Sequence, residues 1–422
     1  MDRKASGEPF SGFLVSLESG GRKQLTFPPH ESFFGDYDFV TSPDGTTIAF
    51  SRQMRPPVAE LFLMPAAGGA ANKVAQSNKY LAGLAWTPDS REIVFSSRQS
   101  GVNALWRVNV KAPSTPVPIA GAETDVVHPS IPRLGSLERI AYQRVESSYR
   151  MWRASVSGDR ISPPRCILPS RRFDSLPQIS PDGQYLTFAS DRSGGFAIWV
   201  SRLDGSDLRN LTAGSGLSCG SPRWSPDGTM IAFDAHGDGE SSDIYSISAS
   251  SGPLRQLTRE PSMEVRPSWS QDGRWIYFCS DRSGEQEIWK MDSAGTGNAA
   301  QVTRAGGFEG FESMDGSVLY FVKRGSGSSA LWQIASGGKE SLVSNGVRDG
   351  RWSVTRAGIF FIDALRRVCR LDADGRSACI GTVAREGTDS AGLTMSRDGK
   401  EMVYVQPEPS RSELRMAQGR LF

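Results

Sequence analysis

A four-residue turn recurs along this chain at a fixed interval, and that interval decides what the chain can fold into. Ser-Pro-Asp-Gly occurs at 42–45, 180–183 and 225–228, with variants TPDS at 87–90, SQDG at 270–273, SMDG at 313–316 and SRDG at 396–399. The aspartates stand at 44, 89, 182, 227, 272, 315 and 398, so successive gaps are 45, 93, 45, 45, 43 and 83 residues. Each long gap holds two periods, with worn copies inside at 132–142 (PRLGSLERIAY) and 354–363 (VTRAGIFFID). The turn chemistry is specific. Proline presets its own φ, aspartate hydrogen-bonds forward, and glycine accepts positive φ.

A short β-rich run follows each turn: TIAF, EIVF, RIAY, YLTF, MIAF, WIYF, VLYF, GIFF, EMVY. A hairpin and a third strand come next: LFLM, LWRV, MWRA, IWVS, IYSI, IWKM, LWQI, VCRL, LRMA. Leu-Thr or Val-Thr often closes the unit, as at 211–212, 257–258 and 302–303. Four short antiparallel strands in about 40–45 residues make one propeller blade. The expected fold is therefore all-β, a β-propeller of four-stranded antiparallel blades. The third-strand markers are Leu14, Phe62, Trp106, Trp152, Trp199, Tyr245, Trp289, Trp332, Cys369 and Arg415. Their aromatic rings are expected to pack between blades as core.

Composition excludes several classes. With 45 Gly and 25 Pro in 422 residues and no collagen-like period, the chain reads as many short strands and tight turns. A net charge of +2 without long runs of one sign gives no nucleic-acid or membrane surface by charge. No apolar run reaches the ~18 residues of a spanning helix, and the start lacks a signal pattern. The expected location is cytoplasmic as written, and periplasmic if the true N-terminus lies upstream. The five cysteines, Cys166, Cys219, Cys279, Cys369 and Cys379, give no disulfide framework. A Cys369–Cys379 bridge across one hairpin is conceivable, but free, half-buried thiols are the expectation.

The quoted motifs resemble the TolB-like propeller repeat, most clearly in SLPQISPDGQYLTFASDRSGGFAIWVSRLDGSDLRNLT at 175–212. The order FDSLPQISPDG (173–183), GSPRWSPDG (220–228), RPSWSQDGRWIYFCSDRSG (266–284) and GGFEGFESMDG (306–316) also resembles the propeller region of bacterial winged-helix CadC-like transcriptional regulators. Residues 1–21 begin partway through a unit, with a third and fourth strand only. The regulator resemblance implies upstream blades and a DNA-binding domain before Met1. This chain carries no winged helix, so no nucleic-acid partner is expected of it alone.

The Pro-rich break ISPPRCILPSRRFD at 161–174 suggests two parts. Residues 1–164 are expected to hold N-terminal blades with the first incomplete. Residues 165–417 would form a six-bladed ring whose last blade takes a fourth strand from Arg165 to Pro169. Residues 418–422 would be a tail. The alternative is one ring of eight or nine blades.

No catalytic or metal-binding constellation emerges, and no cofactor is expected. Gly-Leu-Ser-Cys-Gly at 216–220 fits G-x-S-x-G, but Ser218 lies in a blade-to-blade loop and not before a helix. Asp-Ala-His-Gly-Asp-Gly at 234–239 starts like a calcium loop, yet His236 and Tyr245 stand where oxygen ligands are needed. The rim hairpins supply the candidate ligand contacts: Arg98, Asp191, Arg192, His236, Asp281 and Arg282. Bracing of the turns is their expected role, and contact with a polar ligand is the alternative. The function expected is a non-catalytic scaffold for protein or small polar ligand recognition, a sensor or interaction module of a regulatory protein. The alternatives are the propeller of a prolyl-oligopeptidase-type peptidase and a periplasmic TolB-like partner-binding protein.

Overall fold

The computed structural model describes residues 9–418 apart from 30–31, 33, 56–57, 78–80, 100–101, 112–114, 121–122, 133–138, 147–148, 171, 238–240, 325–328, 336–337, 373, 384–391 and 408–410. His30, most of the worn 132–142 copy, the end of the calcium-like segment and residues 419–422 lie outside the described residues. Every regular element among the described residues is a β-strand. The chain forms two compact units, one of residues 1–146 with 410–422 and the other of residues 147–409.

The larger unit holds six sheets, each antiparallel. Sheet I comprises Asp174–Ile179, Tyr185–Ser190, Ala197–Arg202 and Arg209–Asn210. Sheet II comprises Ser218–Trp224, Met230–His236, Asp243–Ser248 and Arg255–Gln256. Sheet III comprises Glu264–Trp269, Trp275–Ser280, Glu287–Asp292 and Ala300–Gln301. Sheet IV comprises Glu309–Glu312, Val318–Arg324, Ser329–Ala335 and Glu340–Asn345. Sheet V comprises Trp352–Thr355, Gly358–Ile362, Arg367–Leu371 and Ser377–Thr382. Sheet VI takes Leu393–Met395 and Glu401–Pro407 from one end of the unit and Tyr149–Ser157 and Arg165–Leu168 from the other. The first strands touch in cyclic order, I to VI and back to I.

Sheet VI departs from the sequence expectation, which gave its third strand to LRMA and placed a boundary at 164. Tyr149–Ser157 stands there, in register with Glu401–Pro407 from Tyr149↔Pro407 to Ser155↔Glu401. Arg165–Leu168 pairs on its outer side. Arg411–Gln418, which contains LRMA, pairs with Arg139–Glu146 in the smaller unit. Side-chain burial accounts for the choice. Met151 and Ala154 are buried against Leu168, Val403 and Met402, whereas Leu414 and Met416 are 83% and 68% exposed. Each apolar side chain buried rather than exposed is worth about 1.5–3 kcal/mol.

The core lies between sheets, not within them. One aromatic from each second strand is fully buried: Phe188, Phe233, Phe278, Phe321, Phe360 and Tyr404. Ile231 and Phe233 of sheet II pack on Ile198 and Val200 of sheet I, and Ile276 and Phe278 of sheet III pack on Ile244 of sheet II. The turns form as their chemistry demands. The leading Ser hydroxyl donates to the Asp carboxylate at 2.5–2.6 Å in six copies, and Gly228 closes its turn at φ 75°.

The smaller unit holds Phe13–Val15 paired with Arg22–Gln24, then two four-stranded sheets beginning at Gly35–Thr41 and Leu81–Trp86. A three-stranded sheet of Val126–Ser130, Arg139–Glu146 and Arg411–Gln418 follows. First strands touch in sequence, Gly35–Thr41 with Leu81–Trp86 and the latter with Val126–Ser130. First strands in both units carry a bulge with a residue at positive φ: Asp38, Gly83 and His128 here, and Leu176, Ser221 and Arg266 in sheets I to III.

Candidate functional site

The first strands of sheets I to VI surround a channel, and a turn follows each of them, with Pro181, Pro226, Gln271, Met314, Arg356 and Arg397 at its second position. All of these but Arg356, which is exposed beside Arg397 on the adjacent turn, line one mouth of the channel. Below the mouth lies a cavity of about 110 Å³ with Trp224, Trp269, Trp352, Glu312 and Arg397 in its wall. The tryptophans are fixed from sheet to sheet. Trp224 donates its indole N–H to the Gln178 carbonyl and Trp269 to the Arg223 carbonyl, at 3.2 and 3.1 Å. Glu312 accepts from the Gln271 N–H and the Tyr277 hydroxyl, both at 2.7 Å. Burial and this carboxylate push the Tyr277 hydroxyl well above its usual range.

A charged hub crosses the channel beside the cavity. Glu309, 1% exposed at its side chain, accepts from Arg223 of sheet II at 3.2 Å and Arg266 of sheet III at 3.3 Å. Its other oxygen accepts the Gly350 N–H at 2.7 Å and the Trp352 indole N–H at 2.8 Å. Asp349 extends the network to Arg324 at 2.8 Å and Arg266 at 3.7 Å. Burial raises the Asp349 carboxyl, but the Arg324 bond and the charges of Arg266 and Arg324 outweigh it and hold the group below its ordinary value. Burial lowers the Arg223 guanidinium from its ordinary value, and the Glu309 charge offsets part of that fall. Every charge in the hub has an opposite partner, so the hub is a rigid floor.

Arg397 differs. Its guanidinium donates to the Pro226 carbonyl at 3.2 Å, from the sheet VI turn to the sheet II turn. The Arg356 backbone N–H donates to the Arg397 carbonyl at 2.9 Å, which sets the two arginines side by side. Burial, and then the charge of Arg356, lower the Arg397 guanidinium from its ordinary value.

The sequence candidates do not gather at this mouth. Arg192 donates to both Asp174 oxygens at 2.8 Å and lies over the Phe188 and Trp199 rings. Arg282 pairs with Glu264 and lies over Phe278 and Trp289. Arg52 repeats the device with Asp36 at 2.6 Å. Asp191 and Asp281 accept the Phe173 and Met263 N–H groups at 2.9 and 2.8 Å. These hairpins belong to separate sheets. Arg98 follows Glu92–Ser97 in the smaller unit. His236 is half-buried, with Nδ1 2.9 Å from the Gly237 carbonyl. Ser218 stands opposite His236 across the strand pair, and no hydrogen bond joins their side chains.

One cysteine expectation is corrected. Cys369 and Cys379 form a disulfide between paired strands of sheet V, because the ladder sets them directly opposite. With Asp363 they form a three-residue cluster within 4.8 Å. The bridged sulfurs offer no thiolate there, and Arg367 holds the carboxylate at 2.7 Å. Burial pushes the thiols of Cys219 and Cys279 up to about 12, which keeps them protonated at neutral pH.

Glu309, Arg223, Arg266, Arg356 and Arg397 were not singled out by sequence reasoning. The turn arginines carry a readable signal, the second position of a repeated turn. The hub carries none, since its members come from four sheets.

The TolB beta propeller domain model matches residues 136–376. The Tol-Pal system protein TolB of Bordetella pertussis is 35% identical over 192 residues, 45% of this chain and 43% of that protein. An uncharacterised protein of Agrobacterium fabrum is 37% identical over 214 residues, 46% of this chain and 68% of that protein. A TolB structure from Agrobacterium tumefaciens aligns at TM-score 0.40 and 20% identity, covering 81% of this chain and 94% of that one. The chain spans less than half the length of the TolB relatives it matches. No helix among the described residues is long and apolar enough to cross a membrane. With the family model covering more than half of its residues and the motifs of that repeat along most of its length, the chain belongs to the TolB β-propeller family.

Proposed function

We propose that residues 147–409 form a six-bladed ring whose turn-side channel mouth recognises a protein segment or small polar ligand without chemical conversion. The observation that carries this reading is the cavity lined by five of the six turn residues, walled by tryptophans and floored by a hub with every charge paired. A preformed concave site with aromatic walls and few polar groups suits recognition. We place recognition at the mouth and not on the hairpin rim, where Arg192 and Arg282 are engaged by Asp174 and Glu264.

The motif order supports a finer role as the interaction module of a regulatory protein. A second reading is a partner-binding protein of the Tol-Pal kind, as its relatives are named. The Cys369–Cys379 bridge favours it, because disulfides persist in oxidising compartments such as the periplasm. A photo-crosslinking residue in place of Gln271 or Met314, compared with one at Ser193 or Ser283, tests the site in source cells. Adducts from the mouth positions alone are expected. Adducts from the rim positions alone overturn the assignment.

A further inference from the structure

We propose that Arg397 and Arg356 form a carboxylate-binding site for an acidic peptide, with Arg397 as a latch that swings from the Pro226 carbonyl to the incoming carboxylate. This rests on the channel mouth being the recognition surface and names the chemistry that it selects. The five arginines named above at or near the channel divide sharply. Arg223, Arg266 and Arg324 each meet a carboxylate, Glu309 or Asp349. Among the described residues, Arg397 meets a neutral carbonyl at 3.2 Å and no carboxylate, and Arg356, exposed on the adjacent turn, has no carboxylate partner. Their backbones are joined at 2.9 Å, and the charge of Arg356 weighs on Arg397.

Arg397, partly buried at the mouth, and Arg356, exposed beside it, together present positive charge that no carboxylate among the described residues pairs. A carboxylate accepts a charge-assisted, bidentate bond from a guanidinium, which a carbonyl does not match. It also relieves the repulsion between the two cations. Exchange of partners therefore favours the ligand without distorting the ring. The cavity of about 110 Å³ admits a side chain or a chain end and not a folded domain. Glu312 faces the same cavity, but its oxygens are held by Gln271 and Tyr277, and its charge keeps an incoming carboxylate on the Arg397 side. Pro181, Pro226 and Trp224 supply an apolar wall for the rest of the peptide.

The test titrates the full chain with three peptides, following tryptophan fluorescence and heat. They are acetyl-Gly-Gly-Glu-Gly-amide, acetyl-Gly-Gly-Gly with a free C-terminus, and acetyl-Gly-Gly-Gln-Gly-amide. A preference of at least about tenfold for one carboxylate peptide over the glutamine peptide is expected, the size of one good charged contact. Which peptide wins tells a side-chain carboxylate from a chain terminus. Arg397→Gln should abolish the preference, Arg356→Gln should reduce it, and Arg397→Lys should keep part of it, all at unchanged melting temperature. Equal binding of all three peptides, or an intact preference in Arg397→Gln, overturns the carboxylate site while leaving mouth recognition standing. Absence of binding by any peptide at millimolar concentration also overturns it. The crosslinking experiment judges the mouth independently.

Discussion

The two units are built from the same blade and differ in how the series of blades ends. In the larger unit the first strands run from sheet I to sheet VI and back to sheet I. Among the described residues of the smaller unit they run in a line, from a two-stranded hairpin to a sheet of three strands. Local devices are shared. The Ser-Asp turn bond is 2.6 Å at Ser42 and 2.5 Å at Ser313, and the Arg-over-aromatic brace occurs at Arg52 as at Arg192. What differs is the exposure of the ends. Tyr149–Ser157 has buried residues along its length, while seven of the eight residues of Arg411–Gln418 are exposed. Blade chemistry therefore sets the sheet, and closure sets how cooperatively the sheets stand or fall together.

The largest effect should come from breaking the closing sheet. Val403 is fully buried in the middle of sheet VI, flanked by Tyr149–Ser157 and Leu393–Met395. Val403→Pro removes a ladder hydrogen bond in the middle of a sheet, where proline is essentially not tolerated. It should abolish the unfolding transition of the larger unit in calorimetry. Ile140→Pro, in the terminal sheet of the smaller unit, should leave that transition in place. If both substitutions melt both units together, the contrast between closed and open series is wrong.

Next in size is the hub. Glu309→Ala strands Arg223 and Arg266 beside a buried site and should cost about 3–5 kcal/mol. Urea unfolding followed by tryptophan emission should show the loss in the larger unit only. The disulfide comes third. Reduction of Cys369–Cys379, which closes a short loop in sheet V, should lower the stability of the larger unit by about 2–3 kcal/mol. Differential scanning with and without reductant checks this, and the Cys369→Ser/Cys379→Ser double variant should be insensitive to reductant.

The smallest effect should be common to both units. The Ser42 hydroxyl, then the Thr46 N–H and hydroxyl, hold the Asp44 carboxyl at about 2, against an ordinary 3.8. Ser313 and Ser317 do the same for Asp315. A folded-state value below the unfolded one stabilises above pH 3.8, and the contribution fades as pH falls from there towards 2. Acid titration by circular dichroism should lower both transitions through that window without widening the gap between them. Asp315→Asn should reduce the response of the larger unit alone, with Asp227, Asp272 and Asp398, held low by the same turn bonds, carrying the remainder.

The sequence carried the parts of this molecule that local chemistry dictates. Pro, Asp and Gly at fixed spacing announce each turn, and alternating apolar residues announce the strands beside it. Pairing over long distances was not legible. MWRA at 151–154 and LRMA at 414–417 read alike as third strands, and only burial against Val403 and Met402 selects the first for sheet VI. The bulges were invisible because Asp38, His128, Leu176, Ser221 and Arg266 share no chemistry, only φ of 46–58°. Glu309 looked like any strand acid, since its partners lie 41 to 86 residues away. The rim pairs Asp191-Arg192 and Asp281-Arg282 drew attention because they repeat. That repetition accompanies one brace in each hairpin, whereas the channel mouth is made of residues that vary at a constant position.

Sheet VI also imposes a schedule. Tyr149–Ser157 leaves the ribosome long before its inner partner, with 250 residues separating Ser157 from Pro407. At about 5–20 residues per second, synthesis of that interval takes roughly 10–50 s. Through that time the strand has its outer neighbour Arg165–Leu168 and no inner one, and sheets I to V can stack only as an open series. The series of sheets in the larger unit closes only once its last strand has been made.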